Sequence, residues 1–283
     1  LTREPRGHRD MVAAALTDPV SEGAAFGLIY MDARRYPYLC GHATIGAVTT
    51  LIETGAIEAT GPETRVTVDT PSGPMDTLAR VRDGVVDSVA VQAVPSFVYG
   101  RERSLDVPGL GRIPVETVCV GGFFVMVPAE CTGLALTPEN SARLVDLGMT
   151  LIDCANAQLD VQHPTRPEVS TVDVVEFYEE NAGEPSVGRS MVIYGERHMD
   201  RSPCGTGTAA KLTLLHHQGR IHMDQPYENT SPLGTVFEAR LVRETTVGEV
   251  PAVVAEIRGS AHITGVHTFV LDPDDPFPGG FLP

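Results

Sequence analysis

Two stretches of this chain place a cysteine and a glycine at the start of an apolar, helix-like run. The first is Cys40-Gly41-His42-Ala43-Thr44-Ile45-Gly46, and the second is Cys204-Gly205-Thr206-Gly207-Thr208-Ala209-Ala210. The offset between them is 164 residues, and the match extends beyond the cysteines. At that offset Ile29-Tyr30 falls on Ile193-Tyr194, Leu51 on Leu215, Gly55 on Gly219 and Ile57 on Ile221. Each copy reads as a short strand, a loop, a Cys-Gly turn, a helix and a glycine stop. A cysteine at a helix start meets backbone N–H groups and the positive end of the dipole, which favour a thiolate. Cys40 and Cys204 are therefore the candidate functional thiols. Cys119, Cys131 and Cys154 lack that placement and read as small core hydrophobes.

Three chemistries could use two such thiols. A disulfide suits an oxidising compartment, but five cysteines with no CxxC pair do not form a disulfide framework, and a reducing cytoplasm is expected. Metal ligation would start from Cys40 and His42, yet the second copy carries Thr206 where the first has histidine, so no four-ligand site assembles. His216, His217 and His222 have no ligand-like spacing and read as solvent-facing. The third chemistry is proton transfer at a stereocentre. One thiolate removes a proton from one face of a carbon, and the opposite thiol returns one to the other face. The backbone N–H groups of Gly41, His42, Gly205 and Thr206, at two helix starts, would suit a substrate carboxylate. Gly205 to Ala210 also matches G-x-G-x-x-A, but the first copy lacks that pattern and no βαβ series follows. Lys211 stands in no Walker context. Neither a dinucleotide site nor a four-ligand metal site is therefore expected.

The elements that must position these residues come from composition and pattern. At 283 residues and 42% hydrophobic content, the chain can bury one large core or two moderate ones, and 28 glycines and 22 prolines indicate many turns. A net charge of −16 argues against a nucleic-acid partner. No apolar run is long enough to span a bilayer, and no signal peptide is visible. Strands are expected over Ala25 to Met31, Arg65 to Asp69, Met75 to Arg82, Val85 to Val94, Thr117 to Val127, Asp173 to Glu179 and Ser190 to Tyr194. Thr235 to Val242, Val250 to Ile257 and His262 to Leu271 read as further strands, and Glu228 to Leu233 as a turn. Helices are expected over Gly41 to Glu53, Thr137 to Asn156 and Ala209 to His217. The Pro- and Gly-rich segment Phe97 to Ile113 reads as the crossover between halves. The first half then comprises 1–113 joined by 266–283, and the second 114–265. By repeat arithmetic, about 50 residues of N-terminal strands belonging to the first half would precede residue 1.

At Cys40-Gly41-His42 and at Asp200-Arg201-Ser202-Pro203-Cys204-Gly205-Thr206-Gly207-Thr208 the chain resembles the proline racemase family. Glu4-Pro5-Arg6-Gly7-His8 and Ile263-Thr264-Gly265 extend the likeness end to end. The resemblance implies an α+β fold of the diaminopimelate-epimerase type. Two pseudo-symmetric β-barrel-like halves each wrap a central helix, with the active site between them. It implies catalysis by Cys40 and Cys204 without pyridoxal phosphate or metal, an ammonium-binding role for Asp200, a substrate contact at His42, and a homodimer. The dehydratase branch of the family usually has threonine at the second cysteine position, so Cys204 favours a racemase or epimerase. Ala43 and the Arg34-Arg35-Tyr36-Pro37-Tyr38 loop depart from the usual pattern. Proline-specific members tend to place phenylalanine where Val12 and Tyr194 stand, so a more polar ring such as 4-hydroxyproline is the favoured substrate. Proline itself, dehydration of trans-3-hydroxyproline, and non-catalytic binding of an imino acid are the alternatives.

Overall fold

One order of elements forms twice in the computed structural model, which describes residues 1–100, 103–180, 184 and 186–282. In the first copy it runs β1 (Ala13–Thr17), β2 (Phe26–Met31), α1 (Gly41–Glu53), β3 (Glu63–Thr70), β4 (Gly73–Arg82) and β5 (Val85–Gln92). The second part of the chain begins with β6 (Ser96–Val98), β7 (Arg103–Val107), β8 (Gly111–Val120), β9 (Gly122–Pro128) and α2 (Ser141–Gln158). It continues with β10 (Val172–Glu180), β11 (Val187–Tyr194), the two-residue β12 (His198–Met199), α3 (Gly205–His217), β13 (Tyr227–Thr230), β14 (Val236–Val247) and β15 (Val250–Gly259). Shifted by 164 residues, β1–β2–α1–β3–β4–β5 overlies β10–β11–α3–β13–β14–β15. Both copies keep the parallel pair that a helical crossover requires, β2 with β3 and β11 with β13. Elements β6 to β9 and α2 have no counterpart among the described residues of the first copy.

The chain forms two compact units, Leu1–Val89 with Ser260–Pro283, and Ala90–Gly259. In the first, strands β1 to β4 and the start of β5 lie in sequence order, and α1 buries Thr44, Ile45, Val48, Thr49 and Ile52. The tail returns to the start of the chain, where Glu4 N–H donates to the Phe281 carbonyl at 3.1 Å.

The second unit is a closed barrel. Its strands run β15-β14-β13-β11-β10-β9-β8-β6, and Val253 of β15 pairs back to Ser96 of β6. Closure removes the sheet edges and leaves an interior that α3 fills. Ten of its thirteen residues are buried, including Ala209, Leu212, Leu214 and Leu215, because strands surround it on every side. Helix α2 covers the outside of the same sheet. Its Leu144, Leu151 and Ala155 pack with Phe123, Val125, Val127, Val175 and Phe177 in one apolar cluster. Alternation along β9, and along β10 from Val174 on, thus sends odd-numbered residues toward α2 and even-numbered ones toward α3.

Four of the strand and turn expectations differ from the structure. Thr117 to Val127 is not one strand, because Gly121 at φ 73° turns the chain into the β8–β9 hairpin, with Val120 opposite Gly122. Strands β6, β7 and the start of β8 occupy the segment read as a crossover; Arg101 and Glu102 in it lie outside the described residues. Glu228 to Leu233 begins as strand β13, whose ladder partner β14 supplies the pairing that its polar sequence conceals. His262 to Leu271 forms no strand. It is exposed, with Val266 91% accessible, and an apolar run without a hydrogen-bonded neighbour is not a strand.

Candidate active site

In the first unit, β2 delivers the chain to a loop that ends at Cys40. Asp32 Oδ1 accepts from the N–H groups of Arg34 and Arg35 at 2.7 and 2.8 Å, which shapes that loop. Cys40 caps α1 in an extended conformation, φ −148° and ψ 101°. Its carbonyl accepts from the Thr44 N–H at 3.1 Å and from the Thr44 hydroxyl at 2.9 Å. The same hydroxyl meets the Tyr30 hydroxyl at 2.6 Å, tying β2 to the helix start. His42 Nε2 lies 3.6 Å from Cys40 Sγ.

The second unit repeats this plan with different fastenings. Asp200, buried, accepts at Oδ1 from the Ser202 N–H at 2.9 Å and its hydroxyl at 2.8 Å. Ser202 Oγ in turn accepts from the Cys204 N–H at 3.0 Å. Asp200-x-Ser202-x-Cys204 is thus one hydrogen-bonded ladder. Cys204 caps α3 at φ 60°, a left-handed conformation that a side chain rarely adopts and that costs about 1–3 kcal/mol. Asn229, fully buried on β13, holds the turn by donating to the Pro203 carbonyl at 3.2 Å and to Thr208 Oγ1 at 2.9 Å. The Gly207 N–H donates to Cys204 Sγ at 3.3 Å, and Thr206 Oγ1 lies 3.5 Å from it. The residue two places after each cysteine therefore touches its sulfur, His42 in one unit and Thr206 in the other.

Electrostatics at Cys204 run against the expectation of a thiolate. Burial pushes this thiol well above the ordinary range, and the nearby charge of Asp200 adds to the shift. The Thr206 hydroxyl and the Gly207 N–H pull the other way but do not prevail. The helix start is present, but a cysteine only 6% exposed loses the water that a thiolate needs. Cys204 is therefore held as a thiol, ready to give a proton.

The family model described as proline racemase matches residues 1–282. The chain belongs to the proline racemase family. It is 41% identical over 279 residues to the proline racemase of Clostridioides difficile, covering 99% of this chain and 83% of that protein. It is 38% identical over 282 residues to the 4-hydroxyproline 2-epimerase of Streptosporangium roseum, covering 100% and 84%. Among solved structures, a hydroxyproline epimerase from Agrobacterium vitis with bound trans-4-OH-L-proline matches at a TM-score of 0.94 and 33% identity, covering 99% of this chain and 80% of that one. The α+β fold expected from the resemblance is the fold observed.

Measured against the proline racemase motifs, Cys40, Gly41 and His42 lie together at the start of α1, and Asp200, Cys204, Gly205 and Thr206 at the start of α3. Cys119, Cys131 and Cys154 belong to or pack against the apolar cluster, and burial pushes the Cys119 thiol up to about 12. Sequence reading missed Ser202, Asn229 and Tyr30, which position these turns. Tyr30 and the Thr44–Thr208 match were visible in the repeat. It also missed Glu176, whose signal was an acid between Val174 and Tyr178 on the even-numbered face of β10.

Proposed function

We propose that this isomerase inverts the α-carbon of a cyclic imino acid by two-base proton transfer without a cofactor, with 4-hydroxyproline as substrate. The observation that carries this reading is the duplicated half-site: a buried cysteine at a helix start, with the residue two places on against its sulfur, built twice at one offset. Inversion needs one proton acceptor and one donor that exchange roles in the reverse direction, and a duplicated thiol supplies that symmetry. In this account Cys40 takes the α-proton of one enantiomer while Cys204, held as a thiol, gives its proton to the other face. For the mirror substrate the roles reverse. A positioned base contributes about 10²–10⁴-fold. First-turn N–H groups at Gly41, His42, Gly205 and Thr206 receive the substrate carboxylate. Charge builds there as the α-carbon planarises, and one such donor is worth about 3 kcal/mol. Asp200 receives the ammonium group.

A polar ring is supported by the side chains flanking the motif. Tyr194 stacks on His198 with ring centroids 4.3 Å apart, and its hydroxyl lies 3.2 Å from His198 Nε2. A tyrosine hydroxyl held beside the second motif suits a hydroxylated ring better than plain proline. The protein is proposed to act as a homodimer in the cytoplasm. Among the described residues no helix is long and apolar enough to cross a membrane. The test is a substrate panel in D₂O, with polarimetry and α-deuterium detection on L-proline, trans-4-hydroxy-L-proline and trans-3-hydroxy-L-proline. Fastest inversion of the 4-hydroxy compound is expected. Preferred inversion of proline would correct the substrate, and a pyrroline product from the 3-hydroxy compound would replace isomerisation by dehydration.

A further inference from the structure

Glu176 is fully buried in the wall of the barrel, and neither of its carboxyl oxygens has a hydrogen-bond partner among the described residues. On β10 it takes the even-numbered face, directly opposite Val192 of β11 and Met126 of β9, and so points at α3. The first turn of α3 lies on it. A Cβ built on Gly207 would stand 2.8 Å from Glu176 Oε2, 2.9 Å from Val192 Cγ2 and 3.2 Å from Cys204 Cβ. Only glycine lets the helix approach this closely. The carboxyl and the second thiol are therefore neighbours across one glycine, whose N–H is already donated to the sulfur.

The surroundings decide what this pair can carry. From α3, Lys211 faces the same layer, with its Nζ donating to the carbonyls of Glu179 and Arg189 at 3.0 and 3.2 Å and lying over the Tyr178 and Tyr227 rings. From β11 come Ser190 and Val192. The Ser190 hydroxyl donates to Asn229 Oδ1 at 3.2 Å. From β9 comes Met126, and from β8, in the same register row, Glu116. The charge of Asp200 also raises the Cys204 thiol. Burial pushes Glu176 up to about 8, against the nearby Ser190 hydroxyl, which is turned to Asn229, and the charge of Lys211, so at neutral pH the carboxyl is largely uncharged. Two acids this close in a dry layer do not both ionise readily.

We propose that Glu176 is a positioning residue for the second thiol, the pair holding at most one negative charge: an uncharged Glu176 lets Cys204 become a thiolate once it has given up its proton, and an ionised Glu176 forbids it. The effect on turnover rests on the two-thiol reading above; the effect on Cys204 itself does not. The experiment is carbamidomethylation of Cys204 by iodoacetamide across a pH series, read by mass spectrometry of the Cys204 peptide in the full chain and in Glu176→Gln. The midpoint is expected about one unit or more lower in Glu176→Gln, with a shallower alkaline fall of kcat/KM. Coincident midpoints overturn the proposal. Because alkylation needs no substrate, a shifted midpoint without inversion sustains this inference and rejects the proposed function. Should Glu176→Gln not fold, carboxyl ¹³C NMR of the glutamate-labelled wild-type chain decides. One resonance titrating near pH 8 is expected, and none titrating there overturns it.

Discussion

At the scale of single residues, the two half-sites differ more than their motifs do. Cys40 is extended and Cys204 is left-handed, and only the latter is fastened by an acid ladder. Asp200 raises the Cys204 thiol and is proposed to bind the substrate ammonium, and a substitution can separate the two. Asp200→Asn keeps an oxygen for Ser202, so the turn should survive, but it removes a charge that raises the Cys204 thiol. We expect kcat/KM to fall by about 10²-fold or more as charge-assisted ammonium binding is lost, while Cys204 alkylates at lower pH. Unchanged alkylation together with wild-type kcat/KM would remove both roles. Glu176 makes a stability prediction of its own. Its carboxyl is raised from 4.5 to about 8, so between those values the unfolded chain releases a proton that the folded one keeps. Stability from this group therefore falls as pH rises from about 4.5 to 8, then levels, with a total on the order of a few kcal/mol. Glu176→Gln should flatten that decline, and thermal melts at pH 5 and pH 8 test it. Equal wild-type and variant slopes would contradict it.

At the scale of elements, the helices α1 and α3 are each thirteen residues long and end alike, with Gly55 at φ 75° and Gly219 at φ 70°. The sequence pattern set both ends of α1, since Ile45, Val48 and Ile52 recur at helical spacing. It started α3 four residues late, because Gly205-Thr206-Gly207-Thr208 has poor helix propensity. Two fastenings settle that turn, the Gly207 N–H on Cys204 Sγ and Asn229 on Pro203, and neither leaves a mark in the pattern. The G-x-G look-alike has a packing origin: Gly207 makes room for Glu176 and Val192. Gly207→Ala should therefore destabilise by about 1–3 kcal/mol through overpacking. Gly46 in α1 has open space where a Cβ would go, so Gly46→Ala should stabilise by about 0.5–1 kcal/mol. Denaturant melts of both variants test the contrast, and shifts of the same sign would reject it. Hairpin β8–β9 was hidden for the opposite reason, since one glycine at positive φ divides a run whose apolar pattern is continuous. For 262–271 the pattern was strand-like but pairing is a tertiary fact, and no local signal reports it.

At the scale of the whole molecule, the 164-residue repeat carried most of the fold. Strands, helix and glycine stop recur at one offset from β1 to β5 and from β10 to β15, and the candidate thiols fall at the same point in each copy. What the repeat could not carry is the burial that keeps Cys204 protonated. The proposed function requires Cys40 and Cys204 each to serve one face of the same α-carbon. The most direct measurement follows α-deuterium incorporation by NMR in D₂O, for Cys40→Ser and Cys204→Ser, each with the L and the D substrate. A serine hydroxyl is far too weak a base to replace a thiolate, so neither variant should complete inversion. Each should still exchange the α-hydrogen of one enantiomer, and the two variants should prefer opposite enantiomers. Inversion that persists in one variant, with all exchange lost in the other, would contradict the claim and leave a single-base enzyme.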